Sequence, residues 1–268
     1  MVFFRSRNKR TAVSTQDNTL NEHETLNWNF ANQSYKGVDE RSNIGEWEYD
    51  GDSSNIDTGI WHNHKTRQSH VSNRGSTSAY DWGVSDSQIA LGLEDHGDRF
   101  KNAVNAANDA HNKHGYKVST SGHSLGGNVS NYQTERLGDN DWYESGVGFN
   151  SGVSSVGKDG YFGKRRAVCR KSNSSRPSHC DKALNVKEQG DLVSEQNAVC
   201  SILTFGMAKR FCGKKNGFGK EKIMSNYQQR KLTYREMMMG SFGFAKHHLE
   251  TRANQHSLSV FKPSYEVV

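Results

Sequence analysis

A segment with strand character that runs into a glycine-bracketed serine and straight out into a helical pattern leaves a chain few ways to fold. Tyr116-Lys117-Val118-Ser119-Thr120 reads as a short strand, and Gly122-His123-Ser124-Leu125-Gly126-Gly127 follows almost at once. Leu125, Val129, Tyr132 and Leu137 then trace a helical stripe closed by Gly138. A chain that turns this sharply holds the serine in strained backbone and lifts its Oγ clear of the sheet edge, while the glycines let neighbouring backbone pass close by. Ser124 is therefore the candidate nucleophile. The backbone N–H of Leu125, at the positive end of the following helix, is a candidate donor to an oxyanion.

The surroundings repeat the pattern of alternating elements. Phe100, Ala103, Val104, Ala107 and His111 recur at helical spacing before Gly115, and Val147-Gly148-Phe149 and Leu184-Asn185-Val186 alternate as strands do. Strands separated by helices predict an α/β domain with a mainly parallel sheet flanked by helices. Residues 1–25 are polar and aperiodic and read as an N-terminal arm. Residues 26–268 read as one domain with polar insertions near 151–182 and 206–245. Of 268 residues, 32% are hydrophobic, a lean fraction that the insertions explain by dilution. No internal repeat is visible.

Composition narrows the function classes. The longest apolar run, Ala198–Leu203, is interrupted by Ser201 and falls far short of the ~20 residues a membrane-spanning helix needs. The N-terminus places its apolar residues before its charges and follows them with no apolar stretch, unlike a secretory signal. The expected location is therefore the cytoplasm, although export or packaging in a particle by another route would leave no trace. Cys169, Cys180, Cys200 and Cys212 form no CxxC pair and read first as free thiols, with disulfides and a metal site as alternatives. No metal or other cofactor is expected. Residues 1–160 carry 15 Lys/Arg and 21 Asp/Glu, a net −6, whereas residues 161–268 carry 20 and 8, a net +12. Basic pairs and triplets from Lys164-Arg165-Arg166 to Arg230-Lys231, interleaved with aromatics, suit an anionic partner.

A second motif lies upstream, Arg74-Gly75-Ser76-Thr77-Ser78 with Asp81-Trp82. With Gly122-His123-Ser124-Leu125-Gly126-Gly127 it resembles the paired motifs of the class 3 lipase family, in the family's order. The resemblance implies the α/β-hydrolase fold. It implies that Ser76, through its N–H and hydroxyl, and Leu125 form the oxyanion hole. Asn73 stands where the family usually has an aromatic residue, Ser34-Tyr35 is similar to a tyrosine near the family's N-terminal helix, and His123 is the usual residue within the turn, with a structural role.

Chain order for such a fold is serine, acid, histidine. Asp191-Leu192-Val193 is similar to the family's segment bearing the acid, which makes Asp191 the candidate, with Glu188, Asp181 and Glu195 as alternatives. His256 before Ser257-Leu258 resembles the family's catalytic histidine, with His248 and His247 as alternatives. The expected chemistry is hydrolysis of carboxylic esters of lipids, of lipase or phospholipase A1 type, through an acyl-enzyme on a Ser-His-Asp triad. Residues 83–97 would form at best a modest lid. The expected partners are the ester substrate and, peripherally, an anionic membrane surface; nucleic acid is not expected with this activity. The competing reading is a catalytically silent module of the same fold that binds a membrane or nucleic acid through its basic C-terminal half.

Overall fold

Among the described residues, seven strands pair in the order in which the chain makes them. They are β1 (Glu48–Tyr49), β2 (Thr58–Asn63), β3 (Gln68–Asn73), β4 (Lys117–His123), β5 (Tyr143–Phe149), β6 (Ala183–Glu188) and β7 (Lys220–Met224). A computed structural model describes residues 19–76, 97–151, 178–188, 219–224, 257 and 261. β1, β2 and β3 are antiparallel neighbours, and β3 to β7 run parallel. Parallel neighbours in chain order require crossovers that all step the same way. Because such crossovers are right-handed, their helices fall on one face.

That face carries α2 (Asp98–His114), between β3 and β4, and α3 (Leu125–Leu137), between β4 and β5. Ala107 and Ala110 of α2 and Leu137 of α3 pack with Ile60, Val71, Val118 and Tyr143. The other face is covered by α1 (Glu22–Gln33), which precedes the sheet. Its Phe30 packs with Ile44, Trp47 and Trp61, and its Ala31 belongs to a cluster with Leu20, Val147, Phe149, Val186, Met224 and Phe261. This mainly parallel, helix-flanked sheet is the α/β architecture expected from the alternation of strands and helices. Among the described residues no helix is long and apolar enough to cross a membrane.

Three expectations change. The boundary drawn at residue 25 falls inside α1. Leu20 is fully buried, and Asn21 and Glu24 form a reciprocal capping box at 2.9 Å each. Single-sequence periodicity misses this helix because Thr25 and Asn27 are buried alongside Phe30 and Ala31. Second, the stretch 206–245 holds β7 as well as residues outside the described ones. Its Lys220-Glu221-Lys222 start suits a strand that pairs on one side only among the described residues, where charges discourage further pairing, and Lys222 reaches across to Glu24 of α1 at 2.6 Å. Third, Cys180 is buried and disulfide-bonded, against the first reading of free thiols. Cys169, Cys200 and Cys212 lie outside the described residues.

The lean apolar fraction also has a cause that dilution does not supply, because the core itself is polar. His70 of β3 is fully enclosed, stacked on Phe30 with ring centroids 3.9 Å apart, and its two ring nitrogens each lie 2.8 Å from a serine hydroxyl, Ser119 and Ser121. On the opposite face the Tyr143 hydroxyl meets Thr120 and Thr134, both at 2.7 Å, and Thr120 also meets Ser130 at 2.8 Å. Asn131 and Asn185 exchange amide hydrogen bonds at 2.9 and 3.2 Å. Buried polar groups are tolerable only when paired like this, and the side chains on α3 and the central strands supply one another's partners.

Burial, reinforced by nearby His23, holds the His70 pKa well below its ordinary value. His62, held low by burial against the raising effect of Asp50, acts in the same sense. A base with a depressed folded-state pKa binds its proton more readily in the unfolded chain, so stability is full above the ordinary histidine pKa of about 6.5 and falls as pH drops below it. Urea unfolding at pH 7.5, 6.5 and 5.5 should show a falling unfolding free energy. In His70→Gln the slope should flatten below pH 6.5, approaching a limit of about 1.4 kcal/mol per pH unit, one proton's worth, at the acid end.

Candidate active site

Where β4 ends, the backbone has no room for side chains at two positions. A Cβ on Gly122 would run into the carbonyl group of Gly126 and the Asn73 oxygen, and a Cβ on Gly126 would strike the Asn73 and Arg74 oxygens. The end of β3, the end of β4 and the first turn of α3 thus meet backbone to backbone. Ser124 sits between them at φ +58°, ψ −123°, a conformation that costs a non-glycine residue about 1–3 kcal/mol and persists only when its surroundings hold it. The holding contacts are the Ser124 N–H donating to the Phe149 carbonyl at 2.9 Å and the Asn128 N–H donating to the Ser124 carbonyl at 3.2 Å. Ser124 keeps 8% of its surface exposed.

Leu125 opens α3, and a helix leaves its first N–H groups without intrahelical acceptors. The Leu125 side chain is buried among Phe100, Val129 and Tyr132 and pins the first turn in place. Ser76 follows β3 by three residues. Its neighbour Gly75 lies against the His123 carbonyl, so the loop bearing Ser76 abuts the turn bearing Ser124. Asn73 ties the end of β3 to its neighbours by hydrogen bonds. Its buried amide donates to Gln133 Oε1 at 2.7 Å and to the Ser121 carbonyl at 3.3 Å, and Gln133 in turn donates to the Ala103 carbonyl at 2.6 Å. Arg74 pairs with Asp57 at 3.0 Å, and the Arg99 guanidinium donates to the Arg74 carbonyl at 2.5 Å. The pattern of residue types alone does not reveal the Asn73–Gln133–Ala103 chain, because it links three elements.

Tyr35 stands beneath both loops, with its hydroxyl 2.7 Å from Nδ1 of His123 and packed directly against Gly75. Burial drives the phenol's pKa up despite the lowering influence of the Gly75 backbone and the nearby Arg99 and Arg74, so it stays protonated.

Asp191, His256, His248, His247 and Glu195 lie outside the described residues, as do residues 77–96 with most of the lid stretch and the basic clusters from Lys164 to Lys215 and at Arg230-Lys231. Of the alternative acids, Asp181 is exposed in the short 3-10 turn Ser178–Lys182 that enters β6, at the sheet edge away from Ser124. Glu188 closes β6 at the same edge as Ser124 and is buried, its N–H donating to Asn150 Oδ1 at 2.8 Å. His123, Phe149 and Val186 are level across β4, β5 and β6. Phe261 packs edge-on against Phe149 with centroids 5.3 Å apart.

The opposite edge of the sheet has its own recess, about 370 Å³, lined by Glu48, Asp50, His62, His64, Lys113 and His114 among others. Burial would raise the Asp50 pKa, but hydrogen bonds from Lys113, Ser53 and His62 outweigh it and keep the carboxylate well below its usual range. Among the described residues no three His, Cys, Asp or Glu side chains converge as metal ligands do. In open parallel sheets ligands bind beyond the carboxyl ends of the strands, which is the edge of Ser124.

Gly126→Ala tests the backbone crowding. In an ordinary helix the change would add up to about 1 kcal/mol of stability, but here it should remove about 1–3 kcal/mol in urea unfolding. Gly51→Ala, where a Cβ would make only an ordinary contact with the Tyr49 ring, should leave the midpoint almost unchanged.

No family model matches the chain, and no curated protein matches it. Among solved structures, it is similar to the Lip2 lipase from Yarrowia lipolytica, at 16% identity over 67% of this chain and 76% of that one, with a TM-score of 0.40. It is also similar to a triacylglycerol lipase from Penicillium expansum, at 15% identity over 78% and 82%, TM-score 0.41, and to the Rhizomucor miehei lipase in its propeptide complex, at 14% over 64% and 61%, TM-score 0.41. Likeness of this extent carries no inference about activity.

Proposed function

We propose that the protein is a serine hydrolase of carboxylic esters, with lipid esters of the lipase or phospholipase A1 type as its substrate class. The observation that carries this reading is the strained Ser124 at the carboxyl edge of the parallel strands, held by backbone contacts that only glycine permits at residues 122 and 126. Strain maintained at such cost marks a functional residue more often than an accident of packing.

In the mechanism, His256 takes the proton of Ser124 Oγ while Asp191 orients the imidazole. The alkoxide attacks the ester carbonyl, and the Leu125 N–H and the N–H and hydroxyl of Ser76 stabilise the oxyanion. The alcohol leaves with the proton returned by His256, and water activated by the same histidine releases the acid. Chain geometry supports these assignments. Asp191 follows Glu188 by three residues, a reach of about 10 Å, and His256 precedes the anchored Phe261 by five, a reach of about 17 Å. β6 stands two strands from β4, about 10 Å. His248 or His247 would have to span a longer tether from Phe261 to serve as the base.

The disulfide at Cys180 favours an oxidising compartment over the cytoplasm. The excess of basic residues beyond residue 160 favours anionic phospholipid at the substrate surface.

Purified protein should hydrolyse a short p-nitrophenyl ester, and Ser124→Ala should lower kcat by at least about 1,000-fold with an unchanged unfolding midpoint. A fluorophosphonate probe should label Ser124 alone. An undiminished rate in the folded variant refutes the nucleophile, and a folded wild type that neither labels nor turns over any ester points to the silent binding module. Activity on vesicles of phosphatidylglycerol, phosphatidylcholine and emulsified triglyceride then sorts the substrate class, with the anionic phospholipid expected to be preferred.

A further inference from the structure

One phenol touches both loops on which the proposed hydrolysis depends. Tyr35 is not itself placed to meet a substrate, since its hydroxyl lies between His123 Nδ1, at 2.7 Å, and the backbone of Gly75. Gly75 is glycine for the same reason, because a Cβ there would collide with the Tyr35 hydroxyl and crowd the His123 carbonyl. The residues next to these two contacts are Ser76 and Ser124, the proposed oxyanion donor and the proposed nucleophile.

Tyr35 is itself held from both sides. The buried Arg41 donates from Nη2 to the Ser34 carbonyl at 3.1 Å and from Nε to the Lys36 carbonyl at 3.2 Å, the two residues flanking Tyr35. Its remaining donors reach the carbonyls of Asn55, Ile56 and Thr58 at 2.7, 3.0 and 3.1 Å. A planar guanidinium engaged with five carbonyls fixes the short segment after α1 against the start of β2, and with it the height of the phenol. Proposed donor and nucleophile must keep their separation to a few tenths of an ångström for the oxyanion to be met as it forms. Two independent loops joined only by van der Waals contact would not hold that spacing as firmly.

We infer that Tyr35 is a positioning residue that couples the loop of Ser76 to the turn of Ser124 through its hydroxyl, with Arg41 fixing the coupling to the body of the fold. The inference rests on the reading of Ser124 as a nucleophile. It adds that the oxyanion site is set by a side chain from before the sheet, distant in sequence from both motifs.

Tyr35→Phe removes the hydroxyl and keeps the ring. In the folded variant kcat for a p-nitrophenyl ester should fall roughly 10- to 100-fold, less than for loss of an oxyanion donor outright, with KM changed by less than about twofold, and the rate of fluorophosphonate labelling should fall in proportion. A purely structural tyrosine would lower the melting temperature and leave kcat per folded molecule intact, and that result overturns the inference. Amide-resolved hydrogen exchange gives a readout that does not depend on activity. The Gly75 amide should be protected comparably to the amides of β4, and in Tyr35→Phe it should exchange at least about tenfold faster; a freely exchanging Gly75 amide in the wild type overturns the bridge. Failure of the wild type to label with fluorophosphonate, beside a protected Gly75, would sink the nucleophile assignment and with it the positioning role.

Discussion

The close approach of three backbone segments at the carboxyl edge of the sheet governs the rest of the structure. The carbonyls of Asn73 and Arg74 at the end of β3 occupy the space that side chains at residues 122 and 126 would need. Packing this tight cannot be adjusted by a rotamer change, because the atoms in contact belong to the main chain. It fixes where α3 starts, where β3 must stop, and how the Ser124 backbone is bent. The Phe149 carbonyl, receiving the Ser124 N–H, extends the constraint to β5, and Phe149 carries it to Phe261 near the C-terminus.

The backbone crowding within this short radius is legible from residue types, whereas the Asn73–Gln133–Ala103 chain beside it is not. Gly122 and Gly126 announced the crowding, the strand and helix patterns on either side placed the turn, and Arg74-Gly75-Ser76 marked the loop that meets it. Regularities of longer range were not. α1 packs through Phe30 and Ala31 but buries Thr25 and Asn27 beside them, so its pattern shows no apolar stripe. β7 offers only Ile223 and Met224 among charges. Leu184 and Val186 mark β6, yet nothing in its residues says that it lies level with Phe149 and His123, because register is a property of the paired sheet.

The polar interior bears on both stability and order. Serine, threonine and asparagine bring less transfer free energy than the leucines and valines they displace, so the sheet owes less to apolar burial than most of its size. In return each hydrogen bond demands one geometry. The His70 imidazole between Ser119 and Ser121, or the Tyr143 hydroxyl between Thr120 and Thr134, accepts only a narrow range of strand and helix positions. An interior of this kind gives up margin and gains definition, which suits a site whose donors must stand at set distances.

The reciprocal amides of Asn131 and Asn185 and the Asn73–Gln133 pair carry a consequence for how such a chain can change over generations. Replacing one member strands its buried partner, whereas replacing both with apolar groups of matching shape is close to neutral. Drift through the interior must then proceed by coupled steps, two positions at a time and from different elements. A lineage following that route can renew most of its interior vocabulary while its main chain, pinned at Gly122 and Gly126, stays where it was.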